Sequence, residues 1–129
     1  MPPSTVIPVL GYEDVGEAIG WLRRTFGFAE RWRAGSHRAQ LAVGDGAVAL
    51  TETVGAAQTA EVMVRIDDVD AHYARARRLG AEILREPADY PYGERQYTAR
   101  DPGGHHWTFS ETIADVAPEE WGGSSGSFA

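Results

Sequence analysis

Two short segments of this sequence carry most of its candidate chemistry. They are Glu61-Val62-Met63-Val64-Arg65-Ile66 and His105-His106-Trp107-Thr108-Phe109-Ser110. Side chains along an extended strand point alternately to its two faces. Val62, Val64, Ile66, Trp107 and Phe109 demand a covered face, so Glu61, Met63, Arg65, His106, Thr108 and Ser110 take the open one. That pattern gathers a carboxylate, a guanidinium, an imidazole and hydroxyls on one surface, groups suited to the polar parts of a small ligand. Glu61 and Arg65 could also form a structural ion pair bracketing Met63. A register slip of one residue would invert every assignment.

Aromatic residues add a second signal. Trp32, Tyr90, Tyr92 and Tyr97 fall on short strands or on the loop before the seventh strand, where flat side chains suit a planar ligand at a cleft mouth. Trp21, Phe26 and Phe28 lie on or beside the first helix and read as core. Among the other histidines, His72 reads as packed or at a rim. His105 turns away from the open face or belongs to a turn, and His37 reads as a rim contact. No Ser/His/Asp motif, phosphate loop or dinucleotide fingerprint is present. The absence of cysteine excludes disulfides, zinc–thiolate sites and cysteine nucleophiles.

The elements that must hold these groups follow from periodicity. Val15, Ala18, Ile19, Leu22 and Phe26 form one helical stripe, with Asp14 as N-cap, Glu17 as its capping-box partner and Gly27 as terminator. Val69, His72, Tyr73, Ala76 and Leu79 form another, opened by Asp68 and closed by Gly80. Each helix follows a short apolar strand, Val6 to Leu10 or Val62 to Ile66. Each precedes a short charged one, Ala29 to Arg33 or Glu82 to Arg85. Two further strands complete each half: Arg38 to Val43 with Ala47 to Glu52, and Arg95 to Arg100 with His105 to Ser110. Gly44-Asp45-Gly46 and Asp101-Pro102-Gly103-Gly104 supply the turns. The chain is therefore α+β, a β-α-β-β-β unit repeated. Residues 1–112 form the domain, with repeat one over about 4–53 and repeat two over about 60–112. Residues 113–129 are a partly disordered tail whose Gly/Ser-rich end, from Gly122, reads as dispensable.

Composition bounds the partners. A chain of 129 residues suits one domain, and its net charge of -7 argues against a nucleic-acid phosphate backbone. No apolar run is long enough for a membrane span and no secretory signal opens the chain, so a cytoplasmic protein without a membrane partner is expected.

The paired unit, with Tyr92-Gly93-Glu94-Arg95-Gln96-Tyr97 and Asp101-Pro102-Gly103-Gly104-His105-His106-Trp107, resembles the vicinal oxygen chelate superfamily. That superfamily comprises glyoxalase, extradiol dioxygenases and bleomycin-resistance proteins, and the match is to its glyoxalase-like subgroup of unassigned activity. The resemblance implies two half-barrels forming a cup, helices outside, ligand or metal inside, and a homodimer. It places metal ligands at the positions of Ile7, Ala49 or Leu50, Glu61 and Thr108. Glu52 would serve only after a register slip. Ile7 cannot ligate and Thr108 ligates poorly, whereas His106 or Gln40 could substitute. The expected function is metal-independent small-molecule binding of the bleomycin-resistance type, without a cofactor. The ligand would meet Glu61, Arg65, His106, Thr108, Gln40, Trp32, Tyr92 and Tyr97. The alternative is a lyase, isomerase or dioxygenase using a divalent metal on Glu61 and His106.

Overall fold

The structure is a computed structural model that describes residues 6–55 and 58–114. Its strands and helices run in the order β1 (Val9–Tyr12), α1 (Val15–Phe26), β2 (Ala29–Ala34), β3 (Arg38–Val43), β4 (Gly46–Glu52), β5 (Glu61–Arg65), α2 (Val69–Arg78), β6 (Glu82–Tyr90), β7 (Glu94–Arg100) and β8 (His106–Thr112). They make two four-stranded sheets with the same order, β1-β4-β3-β2 and β5-β8-β7-β6. The first strand of each unit runs parallel to its last strand, and the other pairs are antiparallel. This is the expected repeated unit. The tail after Ala114 lies outside the described residues, as do the first five residues.

Local chemistry sets the helices. The carboxylate of Asp14 accepts from the Glu17 backbone N–H, and that of Asp68 accepts from Ala71 in the same way. Gly27 ends α1 with φ 79°, a conformation that a side chain would strain. Val15, Ala18, Ile19, Leu22 and Phe26 are buried, but α2 buries only Val69 and Ala76. Leu79, expected on its stripe, is 45% exposed.

Two strands depart from expectation. β1 begins at Val9 and extends to Tyr12, beyond the segment that its apolar run marks. β6 continues to Tyr90 through Pro87. β6 is an edge strand, so a missing N–H at Pro87 removes no interior ladder bond, and register shifts at Ile83 to Ala88 absorb the irregularity.

The core joins the two units. Trp107 and Phe109 are fully buried. Phe26 lies edge-on to Phe109 with ring centroids 4.8 Å apart, and Phe28 lies 5.2 Å from Trp107. His72 Nε2 donates to the Phe26 carbonyl at 3.0 Å, which leaves Nδ1 as acceptor for the Tyr97 hydroxyl. His72 is therefore a packed, neutral histidine, and burial holds its imidazole below the usual range.

A pH dependence follows. A base whose folded pKa is depressed contributes stability that is whole above its unfolded value, about 6.5, and lost as pH falls through the folded value. Urea unfolding at pH 7.5 and 5.5 should show a loss on acidification that is smaller in His72→Gln. Equal losses in both proteins would refute the assignment.

Candidate functional site

The register confirms the faces. Glu61, Met63 and Arg65 on β5 lie opposite His106, Thr108 and Ser110 on β8. Their neighbours Trp107 and Phe109 are buried under the helices. Glu61, Met63, His106 and Thr108, with Arg85 and Thr98, line a concavity of about 460 Å³. Its floor is a hydroxyl pair, Thr98 Oγ1 and Thr108 Oγ1, 2.8 Å apart. One hydroxyl donates to the other in this pair. His106 Nδ1 stands 3.8 Å from the exposed Glu61 carboxylate.

Arg65 lies apart from this group. It borders a second concavity of about 530 Å³ between β5 and the β3–β4 hairpin, shared with Met63, Val6 and Pro8. The expected Glu61–Arg65 pair is not formed. Residues four apart on a strand are about 13 Å distant, and Arg65 instead approaches Glu94 at 3.9 Å. Burial alone would raise the Glu94 carboxyl. Hydrogen bonds from Ser110 and Thr112 and the charge of Arg65 outweigh it and hold the group below the usual carboxylate range. Ser110 also accepts from Gln96, whose amide oxygen accepts from the Tyr92 hydroxyl at 3.3 Å. Tyr92 thus joins a polar network on the open face, with its ring stacked on Tyr90 at 5.4 Å.

Gln40 and Trp32 belong to the first sheet, directly opposite one another on β3 and β2. Tyr97, expected at a cleft mouth, is instead fully buried on the helix-covered face. Alternation requires this: Tyr97 pairs with Phe109 across β7 and β8 and shares its side. Burial pushes its phenol up. His105 is also buried, with Nδ1 accepting from Ala60 N and Nε2 donating to the Gly11 carbonyl. His37 is on the surface, 3.0 Å from Glu52. Thr98 and Arg85 join the concavity without a motif that marks them in the sequence. The burial of Tyr97 and Ala99 would have revealed Thr98, because it lies between them.

The residues present do not fit a metal centre at the positions the resemblance implied. Glu61 and His106 supply two donors, Ile7 and Ala49 supply none, and the Thr108 hydroxyl is engaged with Thr98. Leu50 is in the core, and Glu52 is directed to His37 rather than to the open face. Among the described residues no three histidine or carboxylate groups converge. Also among them, no helix is long and apolar enough to cross a membrane.

The profile of the Glyoxalase/Bleomycin resistance protein/Dioxygenase superfamily matches residues 6–109. The chain belongs to that superfamily. TioX from Micromonospora sp. ML1 is similar to this superfamily member over 88% of this chain and 100% of its own, with 32% identity and a TM-score of 0.75. A bleomycin resistance determinant encoded on the transposon Tn5 shares the fold at TM-score 0.72 and 18% identity, over 86% of this chain and 99% of its own. An uncharacterized protein of Mycobacterium bovis is 29% identical over 75 residues, 58% of this chain and 49% of that protein. The chain spans about half the length of the curated relatives it matches.

Proposed function

We propose that this superfamily member is a small-molecule binding protein that holds its ligand on the concave sheet faces without a metal, in the manner of a resistance protein that sequesters its target. The observation that carries the reading is the donor set. The concavity offers Glu61, His106, Arg85 and a threonine pair around Met63, which can orient polar groups on a ligand, but too few metal donors converge there. The fold shared with a bleomycin resistance determinant supports the same reading. A cytoplasmic location goes with it.

The test is thermal shift against metal-free bleomycin and a panel of antibiotics and metabolites, with and without EDTA, since a ligand raises stability by mass action. Chelator should leave the shift unchanged. For a ligand so found, His106→Ala should weaken binding by about 1–3 kcal/mol, the cost of an unsatisfied polar partner. A shift abolished by EDTA would overturn the reading.

We also infer a homodimer. β1 and β5 are edge strands, and beside them Val6 and Met63 are 78% and 65% exposed. Such edges and apolar rims are normally covered. Sedimentation should give twice the chain mass at micromolar concentration, and a monomer there would count against it.

A further inference from the structure

The helical side of the molecule carries a different chemistry from the open sheet faces. Where the C-terminal end of α1 meets α2, Gly20, Arg23, Arg24, Gly27, Phe28 and Arg75 line a concavity of about 490 Å³. It shares no residue with the concavity around His106. The chain has 19 acidic residues against 12 basic ones, so a cluster of cations without acidic neighbours runs against its composition. Yet among the described residues no carboxylate forms an ion pair with Arg23, Arg24 or Arg75. Glu30, which feels the charge of Arg23, is paired with Arg33 at 2.9 Å. Arginines in the last turn of a helix ordinarily serve its unpaired carbonyls. Here those carbonyls already have partners. That of Arg23 accepts from Gly27 N–H, that of Arg24 from Arg75 Nε, and that of Phe26 from His72 Nε2. The guanidinium groups of Arg23 and Arg24 are not spent on the helix end.

We propose that this concavity binds a small polyanion of the phosphate-ester or pyrophosphate class. Arg75 is held in place by the 3.0 Å bond from its Nε to the Arg24 carbonyl, which leaves both Nη groups to donate. Its Nη1 lies over Gly27, 3.5 Å from where a Cβ would stand. Arg24 folds back over Gly20, where a Cβ would come within 2.9 Å of its Nη1. The two glycines let both guanidinium groups lie close against the helix. A guanidinium presents paired N–H donors that match two oxygens of one phosphate. Three positive charges suit a group with more than one negative charge, and a single carboxylate carries only one. Phe28, 8% exposed, gives an apolar floor beside which charges are screened less than in water. The partial negative charge of the helix end opposes an anion, but it is about half a unit against three full charges. At physiological salt, charges more than about 8 Å away are largely screened, so the acidic excess elsewhere does not cancel the cluster. The inference goes beyond the small-molecule reading of the sheet faces and does not rest on it.

The probe is inorganic pyrophosphate, titrated into the full chain at about 150 mM NaCl, where long-range attraction is screened. Two-dimensional 1H–15N NMR follows the backbone amides and the arginine Nε–H groups. The amides of Gly20 and Gly27 and the Nε–H signals of Arg24 and Arg75 should move together and saturate. Acetate at the same ionic strength should leave them in place. Arg24→Gln should weaken pyrophosphate binding about tenfold, the loss of charge-assisted hydrogen bonds. This variant keeps the backbone carbonyl that holds Arg75, so it carries the test without loosening the helix end. Arg77→Gln makes the same charge change on α2 outside the concavity and should alter affinity less than about twofold at this salt. Equal losses in the two variants overturn the proposal, because the attraction would then be diffuse. So do signals that fail to move or to saturate, an equal response to acetate, and shifts confined to residues around His106.

Discussion

Replacing Asp101 by alanine should cost about 3–5 kcal/mol, roughly 10 °C or more in melting temperature. The Asp101 carboxylate is 4% exposed. Its Oδ1 accepts from the backbone N–H groups of Gly103 and His105, and its Oδ2 accepts from the Tyr12 hydroxyl and Trp107 Nε1. Removing it strands all of these donors in the interior, where each lost partner costs about 1 kcal/mol or more. Tyr12 ends β1 of the first unit, so the knot also ties the two units together. Burial, with the Asp101 charge and hydrogen bond added, pushes the Tyr12 phenol far up and keeps it a donor. The fit is close: a Cβ on Gly103 would come within 2.7 Å of the Tyr12 ring. Asp101→Asn should fall between, because its carbonyl can still take the backbone donors while its NH2 opposes the Trp107 N–H. Urea denaturation measures all three proteins. A loss below about 1 kcal/mol in Asp101→Ala would show that the knot contributes little.

Trp107→Ala should cost a further large amount, about 3–5 kcal/mol, the range for truncating a buried aromatic. Its ring is in contact with Phe26, Phe28 and Phe109, so the cavity would open where the two units meet. His106→Ala, one residue away, should change stability by less than about 0.5 kcal/mol, since His106 faces the open side and its carboxylate neighbour is exposed. The contrast between adjacent positions is the test. Comparable losses in the two variants, measured by denaturant unfolding, would mean that the strand's faces are wrongly assigned.

Much of the architecture was legible in the sequence. Asp14 and Asp68 mark the helix starts because a carboxylate N-cap acts within three residues, and the structure shows both bonds. The division between Trp107 and His106 was legible because strand alternation needs no knowledge of distant residues. Tyr97 has the residue type of a cleft aromatic, but strand alternation sets it on the covered face with Phe109.

What the sequence by itself determined is the repeated β-α-β-β-β unit, the helix caps and the open-face membership of Glu61, Met63, Arg65, His106 and Thr108. All of these depend on residue type and spacing over a few positions. Tertiary structure alone decided the rest. It made Asp101 more than a turn residue by bringing Tyr12 to it from 89 positions away. It turned His105 into a strut between Gly11 and Ala60. It brought Glu94 of β7 to Arg65, and it left Gln40 facing Ala49 while Thr98 found Thr108. The physical reason is common to these cases: a polar side chain's role depends on which partner a distant strand delivers, and local spacing carries no record of that.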